Sequence, residues 1–368
     1  MTQEWLRIDI ASVSQMYVEE LRNESEWEDF IETIPEATFY HTIEWKKIIE
    51  KSFGFVPAYL TIKDQGEIAG VCPGFVTTPL GFRIFTSLPN SDYGGPLFSK
   101  AHLARGMTFL RNFLTGYCSE NGISHSKLCL LGDSPKQFLE MPFTHIDRSK
   151  GIVEIDLKAT PPEFIWSKLL SGEVRRRIKR FENDGFRLEQ IRSRSELEEF
   201  YCLYRSNMRY IHAPEYSYRF FENIWSKMSS GEFRVWLVNG RLSLGGTACF
   251  VYRKRLYLVY VGINRKLDLS RYNVTPYMCW SLTKWADEQG LRYVSMGSTP
   301  ANPQDSHYRL KIRFGAKFIQ QNTVLIPYTY NAKTLFAVRN SVVSSWKAVR
   351  SILPTNFKTS LERRLFQL

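Results

Sequence analysis

The sequence predicts an α/β (α+β) fold with two tandem domains, each a mixed and mainly antiparallel sheet flanked by helices, followed by a basic helical tail. Two observations lead to this prediction. Between Gly231 and Lys317 the chain shows three strands, a helix and a fourth strand, and the first half shows a similar succession. The length of 368 residues, 43% of them hydrophobic and 23% charged, suits two globular domains of ordinary size.

The first half contains two helical patterns and a hairpin. WEDFIETI and TIEWKKIIEKSFG have apolar residues at helical spacing, and Gly54 ends the second helix. AYLTIKDQGEIAGVCPGFV reads as two strands joined around Gln65-Gly66. A helix from Leu103 to Asn121, the apolar strand SKLCLLG and the segment DRSKGIVEIDL complete this half.

The second half repeats this order. A basic helix (EVRRRIKRFENDG) and a strand (FRLEQIR) precede the helix SRSELEEFYCLYRSNMRY, where Ser195 and Glu198 have the spacing of a capping box. The helix YRFFENIWSKM follows, and then FRVWLVNGRLSLGGTACFV, which corresponds to the first-half hairpin and turns at Asn239-Gly240. We therefore predict domains at 1–157 and 158–330, with a tail at 331–368.

The third strand of this half, Leu256–Gly262, precedes an amphipathic helix at Val274–Glu288. Alternation along a regular strand predicts that Tyr257 and Tyr260 point to opposite faces. The strand LRYVSMG then leads through the polar loop STPANPQDSHY to RLKIRFGAKF.

Charge and cysteine usage limit the function classes. There are 49 Lys and Arg against 37 Asp and Glu, a net charge of +12, which favours a polyanionic partner such as tRNA, a membrane surface or a phosphate-bearing substrate. The six cysteines lack metal-site spacing, so we expect no metal and a reducing compartment. Neither a signal peptide nor a membrane-spanning run is evident, so we expect a cytoplasmic protein, peripheral to the membrane at most.

The tail combines an apolar stripe from Leu335 to Ile352 with seven basic residues against the single acid Glu362. Such a helix can lie on the anionic inner face of a membrane, where it would meet a lipid-linked precursor. It can equally dock on the body of the protein.

Three antiparallel strands, a crossover helix and a further strand are the core order of the GNAT acyltransferase fold. With this order duplicated, the chain resembles the FemABX family of aminoacyl-tRNA-dependent peptidyltransferases, and its broader FemAB-like acetyltransferase branch. The phrases that carry the resemblance are HTIEWKKIIEKSFG, SLPNSDYGGPLF, EVRRRIKRFENDGF and SHYRLKIRFGAK. It implies a transferase for cell-wall biogenesis that needs no cofactor and has no metal.

Lys311 is the strongest candidate for a catalytic residue. It stands in the context Tyr-x-x-Lys-x-x-Phe, where the family carries a lysine, at the edge of the expected cleft. A lysine there can hold a terminal phosphate or stabilise the oxyanion of acyl transfer, or it can be simply exposed at a strand end. Asp305 and His307 in the preceding loop are candidate bases, although a turn-forming Asp and an exposed His are the plainer interpretation. Arg313 is a further candidate for substrate binding.

The resemblance implies other binding residues. Tyr260 matches a family tyrosine that contacts the acceptor, with Tyr257 as the neighbouring candidate, and Lys47 matches a lysine that grips the acceptor's diphosphate. The family also binds its acceptor through an Arg–Tyr pair. The corresponding positions in this chain fall near Tyr216 and Phe220, which departs from the family pattern. Tyr93, in a Tyr-Gly-Gly-Pro turn, places bare backbone where a ligand could approach. Each of these side chains could instead be structural.

Two donors remain open. The basic run Arg175, Arg176, Arg177, Lys179 and Arg180 could contact the phosphates of tRNA, or could simply solubilise its helix. Acyl-CoA enzymes of the GNAT class carry a glycine-rich pyrophosphate loop, and the corresponding stretch here, NRKLDLSRYNVTPYM, has no glycine. This favours aminoacyl-tRNA over acyl-CoA. A non-catalytic scaffold in envelope assembly is the remaining alternative.

Overall fold

The computed structural model describes residues 16–132, 144–227, 232–240, 243–266, 274–334 and 336. The helices are α1 Glu24–Thr33, α2 Ile43–Phe53, α3 Leu103–Glu120, α4 Gly172–Asn183, α5 Arg194–Tyr210, α6 Tyr218–Lys227, α7 Val274–Glu288 and α8 Ser306–Ile312. Shorter helical turns are Phe39–His41, Pro79–Gly81, Pro162–Phe164 and Ile165–Leu169.

The strands of the first half are β1 Met16–Glu20, β2 Val56–Pro57, β3 Leu60–Asp64, β4 Glu67–Cys72, β5 Phe75–Thr77, β6 Ile84–Thr86, β7 Leu97–Phe98, β8 His125–Leu131, β9 His145–Asp147 and β10 Lys150–Asp156. Those of the second half are β11 Arg187–Gln190, β12 Phe233–Asn239, β13 Gly245–Tyr252, β14 Arg255–Ile263, β15 Tyr293–Pro300 and β16 Lys317–Pro327.

These strands form two sheets. Four of them pair in the order β1-β3-β4-β7, and the larger sheet runs β11-β12-β13-β14-β15-β10-β16-β8-β6-β5-β2, with β9 beside β16. All strand pairs are antiparallel except β14 with β15 and β6 with β8. The predicted fold class, a mixed and mainly antiparallel α/β protein, is confirmed.

Strand pairing crosses between the two halves of the chain. Strand β10, at the end of the first half, lies between β15 and β16, and β16 also pairs with β8. One buried core contains Trp27, Trp45 and Tyr93 from the first half together with Phe200 and Phe250 from the second. Continuous sheet and shared core therefore fix the position of one half against the other. The boundary at residue 157 stays a prediction, and the tail lies outside the described residues except for 331–334 and 336.

Local signals explain where several helices begin and end. Gly54 follows α2 with a φ of +66°, a left-handed conformation that glycine adopts without strain. The capping box of α5 is formed by Ser193 and Glu196, so the predicted pair of Ser195 and Glu198 was wrong by two residues. Ser193 is preferred because it precedes the first helical residue, whereas Ser195 lies inside the helix.

The predicted facing of Tyr257 and Tyr260 was also wrong. The pairing of β13 with β14 shifts by one residue after Ala248, which pairs with Tyr260, while Cys249 pairs with Leu258. The extra residue is a β-bulge, and a bulge inverts the alternation of every side chain beyond it. Both tyrosines consequently pack in the core shared by the two halves.

Candidate active site

Strands β14 and β15 pair only along their first residues. They pair in parallel over Arg255–Tyr257 and Tyr293–Ser295, and beyond this point each strand continues without the other. Gly297 in β15 has a φ of +71°, and a methyl group at this position would lie 2.9 Å from the carbonyl oxygen of Leu258. We call this divergence the β14–β15 split.

Asp92 enters the split from the first half of the chain. It belongs to residues 87–96, between β6 and β7, which we call the Asp92 loop. One carboxylate oxygen of Asp92 lies beside Gly297: a methyl group added to Gly297 would be 3.3 Å from it. The carboxylate also accepts a hydrogen bond from the backbone N–H of Ser298. Burial raises the pKa of Asp92 to about 6, and the positive charges of Lys311 and Lys150 oppose that rise.

Lys311 faces the same split from helix α8. Its Nζ donates to the carbonyl oxygens of Ser298 at 2.9 Å and Gly297 at 3.4 Å. Burial lowers the pKa of Lys311, whereas the charge of Asp92 opposes that fall. Lys311 belongs to the last turn of the short helix α8, and so it is not the residue at a strand end that the alternative interpretation expected. A carboxylate and an ammonium group from opposite halves of the chain thus meet at the β14–β15 split.

The other predicted catalytic residues lie apart from the split or have a structural role. The carboxylate of Asp305 caps α8, accepting the backbone N–H groups of His307 at 2.8 Å and Tyr308 at 3.2 Å. His307 is exposed, and so is Arg313 at the end of the same helix. The catalytic and substrate-binding roles assigned to these residues from the sequence stay predictions.

Two buried tyrosines face Asp92. Tyr40 is 0% exposed and Tyr260 is 6% exposed. The hydroxyl oxygen of Tyr40 accepts a hydrogen bond from the backbone N–H of Asp92, whereas the hydroxyl of Tyr260 has no hydrogen-bond partner among the described residues. Burial raises both pKa values well above the ordinary value, and the charge of Asp92 adds to each rise. The ring of Tyr260 packs edge-to-face on Tyr216 at 5.9 Å and on Phe220 at 5.9 Å. Buried hydroxyls normally have a partner, so the hydroxyl of Tyr260 is a candidate contact for a ligand.

Tyr93 and Tyr257 bond to each other instead. A hydrogen bond joins their hydroxyl groups. Tyr257 also accepts a long hydrogen bond of 3.4 Å from Arg255, whose Nε lies 2.6 Å from a carboxylate oxygen of Glu154. This network ties the Asp92 loop to the paired part of β14.

Lys47 lies in another part of the molecule. It is exposed, and its Nζ lies 2.6 Å from a carboxylate oxygen of Glu24. Both residues line a surface pocket of about 590 Å³ together with Glu28, Glu44 and Lys227. Burial raises the pKa of Glu28 and of Glu44. The diphosphate contact assigned to Lys47 stays a prediction, and the acids around it do not favour an anion.

The basic helix α4 divides into two sets. Arg175 donates to the carbonyl oxygens of Trp166 and Ser167, and Arg177 pairs with Glu173. The remaining three side chains are exposed and available to an anionic partner: Arg176, Lys179 and Arg180. Their contact with tRNA stays a prediction.

Sequence reasoning missed Asp92 and Tyr40. Asp92 stands in SLPNSDYGGPLF, a phrase that carried the family resemblance, and Tyr40 comes directly before another, HTIEWKKIIEKSFG. Neither has a neighbour in sequence with which it acts, because Tyr40, Asp92 and Lys311 come together only through the contact of the two halves. An acid beside the glycine pair Gly94-Gly95 was the available signal.

Residues 170–309 match the family described as the acetyltransferase (GNAT) domain. This match covers the elements from α4 to β15 that build the split. These residues are therefore a GNAT-type acyltransferase domain. Comparison with curated proteins gave no match.

Several solved structures resemble this chain in fold over most of its length. FemX is 13% identical, with a TM-score of 0.63 over 88% of this chain and 99% of FemX. A tandem GNAT protein from the clavulanic acid biosynthesis pathway is 9% identical, with a TM-score of 0.54 over 86% and 99%. L-PGS from Bacillus licheniformis, a lysyl-phosphatidylglycerol synthetase, is 10% identical, with a TM-score of 0.51 over 82% and 96%. At such identities these likenesses concern the fold, which is tandem GNAT.

In the described part of the chain, no helix has the length and apolar character needed to cross a bilayer.

Proposed function

We propose that the protein transfers an acyl or aminoacyl group to an amine on a cell-envelope component. One observation carries this proposal: Asp92 and Lys311 face each other at the β14–β15 split, beside the hydroxyl of Tyr40 and the unpaired hydroxyl of Tyr260. The likeness in fold to FemX and to L-PGS supports an envelope acceptor.

The acceptor arrives as an ammonium ion and must lose a proton before it can attack. In the proposed mechanism the hydroxyl oxygens of Tyr40 and Tyr260 accept hydrogen bonds from this group, and the carboxylate of Asp92 takes its proton. A pKa of about 6 leaves Asp92 ionised at neutral pH while making it a better base than an exposed Asp.

The amine nitrogen then forms a bond to the donor's carbonyl carbon. The charge that develops on the carbonyl oxygen is stabilised by the ammonium group of Lys311, which burial shields from water. The bond between that carbon and the donor's leaving oxygen breaks, and the proton held by Asp92 passes to the leaving group. The nitrogen, now bonded to the acyl carbon, loses its second proton to the freed carboxylate of Asp92, which releases it to water. The products are an amide, the free carrier and one proton, so no redox step is needed.

The proposed donor is aminoacyl-tRNA. Two features support it. The first is the set of exposed cations on α4, which could contact the phosphates of tRNA. The second is that NRKLDLSRYNVTPYM, the stretch corresponding to the pyrophosphate loop of acyl-CoA enzymes, has no glycine; its residues 267–273 lie outside the described structure. Acyl-CoA is the second candidate, because the matched family consists of acetyltransferase domains. The proposed acceptor is phosphate-bearing or lipid-linked, and the proposed location is the cytoplasmic face of the membrane.

The test is a transfer assay with mass spectrometry of the products. Purified protein is incubated with labelled aminoacyl-tRNAs or labelled acetyl-CoA, together with nucleotide-linked and lipid-linked peptide or sugar amines. Transfer that depends on Asp92 and Lys311 supports the proposal. Binding of a donor or acceptor without turnover, measured by thermal shift, would instead support a scaffold.

A further inference from the structure

The Asp92 loop has a strained backbone. Leu88 and Asn90 adopt positive φ values of 45° and 60°, which non-glycine residues rarely do. Such a conformation persists only where surrounding contacts hold it. The position of the Asp92 carboxylate therefore depends on whatever anchors the loop.

Three side chains anchor the loop from outside it. Trp45 Nε1 donates to Ser91 Oγ at 3.3 Å, and Gln321 Nε2 donates to the carbonyl oxygen of Asp92 at 2.9 Å. His41 Nε2 lies 3.1 Å from the carbonyl oxygen of Gly95, three residues after Asp92. The loop rests directly on β8, since a methyl group at Gly95 would lie 2.6 Å from the carbonyl oxygen of Cys129.

The surroundings of His41 determine both the tautomer and the charge of its ring. Its side chain is 1% exposed, and its Nδ1 accepts the backbone N–H of Thr38 at 3.1 Å. A ring nitrogen that accepts an N–H carries no proton, so the hydrogen of the neutral ring is on Nε2 and is donated to Gly95. Burial lowers the pKa of His41 to about 4, which keeps the ring neutral at physiological pH.

We infer that His41 is a positioning residue for the transfer reaction: its Nε2–H holds the Asp92 loop so that the carboxylate stays in the β14–β15 split. The inference rests on the proposed function for its catalytic meaning. The anchoring itself can be measured without any substrate.

Two substitutions distinguish the role of the donor nitrogen of His41, Nε2, from that of its acceptor nitrogen, Nδ1. In His41→Gln the amide nitrogen stands where Nε2 stood and can still donate to Gly95. In His41→Asn the shorter amide keeps the contact with Thr38 and loses the one with Gly95. Thermal unfolding compares the stability of the two variants.

The first readout is the reactivity of Cys129, whose Sγ lies 3.8 Å from the carbonyl oxygen of Asp92 beneath the loop. The exposed Cys202 is first replaced by Ser, and thiol labelling by Ellman's reagent is then followed, with Cys129→Ser assigning the signal. We expect labelling of Cys129 about tenfold faster in His41→Asn and near the parent rate in His41→Gln. Equal rates in the parent and His41→Asn, or equal acceleration in both variants, would overturn the inference.

The second readout is the pH profile of transfer. Release of the loop exposes Asp92 to water, so the low-pH limb should move from about 6 toward 3.8 in His41→Asn, with kcat reduced more than KM changes. Lack of activity in the parent protein would refute the proposed function and leave the thiol result standing.

If both variants fail to fold, the inference is tested by finding which nitrogen of the His41 imidazole carries the proton in the unmodified protein. In a ¹⁵N-histidine spectrum, the imidazole that does not titrate between pH 8 and 5 must carry its proton on Nε2. A proton on Nδ1 would refute the inference.

Discussion

Replacing Asp92 with Asn should abolish transfer and yet stabilise the protein at pH 8. Asp92 ionises with a pKa of about 6 in the folded protein, against an ordinary value of 3.8. Because the folded state binds this proton more tightly, stability falls as pH rises from 3.8 through 6, and the full cost of the charge is present above 6. These two pKa values differ by about 2.2. Because one pKa unit corresponds to about 1.36 kcal/mol, ionised Asp92 lowers the free energy of unfolding by about 3 kcal/mol.

This figure already includes the attraction of Lys311 and Lys150, which holds the pKa of Asp92 below the value that burial alone would give. The variant should therefore unfold with a free energy greater than that of the parent by at most about 3 kcal/mol at pH 8. At pH 4 the two proteins should be equally stable. The measurement is urea unfolding followed by circular dichroism, and Asp287→Asn, an exposed carboxylate on α7, is the matched control.

The activity of the same variant completes the test. Loss of a general base lowers kcat by about 10²- to 10⁴-fold, and in the parent the rate should fall tenfold for each pH unit below about 6. A variant less stable than the parent at pH 8, or one that keeps full activity, would refute the assignment of Asp92 as a buried base.

The remaining predictions concern the split and the contact between halves. Lys311→Ala should fold normally and lose about 10²- to 10³-fold in kcat, measured by product formation. Tyr260→Phe should raise KM for the acceptor without lowering the unfolding temperature, because its hydroxyl has no partner to lose. Gly297→Ala should destabilise the protein by about 1–2 kcal/mol in urea, because of its positive φ. Arg253→Ala should cost about 1–3 kcal/mol, because the guanidinium donates to the carbonyl oxygens of Ile31 and Ile34 at the end of α1.

Most elements could be predicted from the sequence because their signals are local. Helix α7 has the predicted bounds, and Gly54 ends α2 through its own backbone conformation. The bulge after Tyr257 could not be predicted, since it depends on pairing with β13 and not on the composition of β14. One shifted residue was enough to place Tyr260 on the side that faces Asp92.

The candidate site was predicted only in part, for a related reason. Lys311 was found through its sequence context, and its surroundings in the structure fit that choice. Asp92 and Tyr40 come from distant parts of the chain, and their joint arrangement is a property of tertiary packing. Asp305, by contrast, was chosen for chemistry, while its hydrogen bonds show a helix cap.

The place of β10 limits how this chain can be divided. A fragment that starts at residue 158, before the family match at 170, would lack the strand that lies between β15 and β16. Those two strands would then present unpaired backbone, and exposed strand edges of this kind promote aggregation. An excised second half should therefore be insoluble unless residues 150–156 are retained, and exchange of first halves between relatives would have to preserve a strand of matching register.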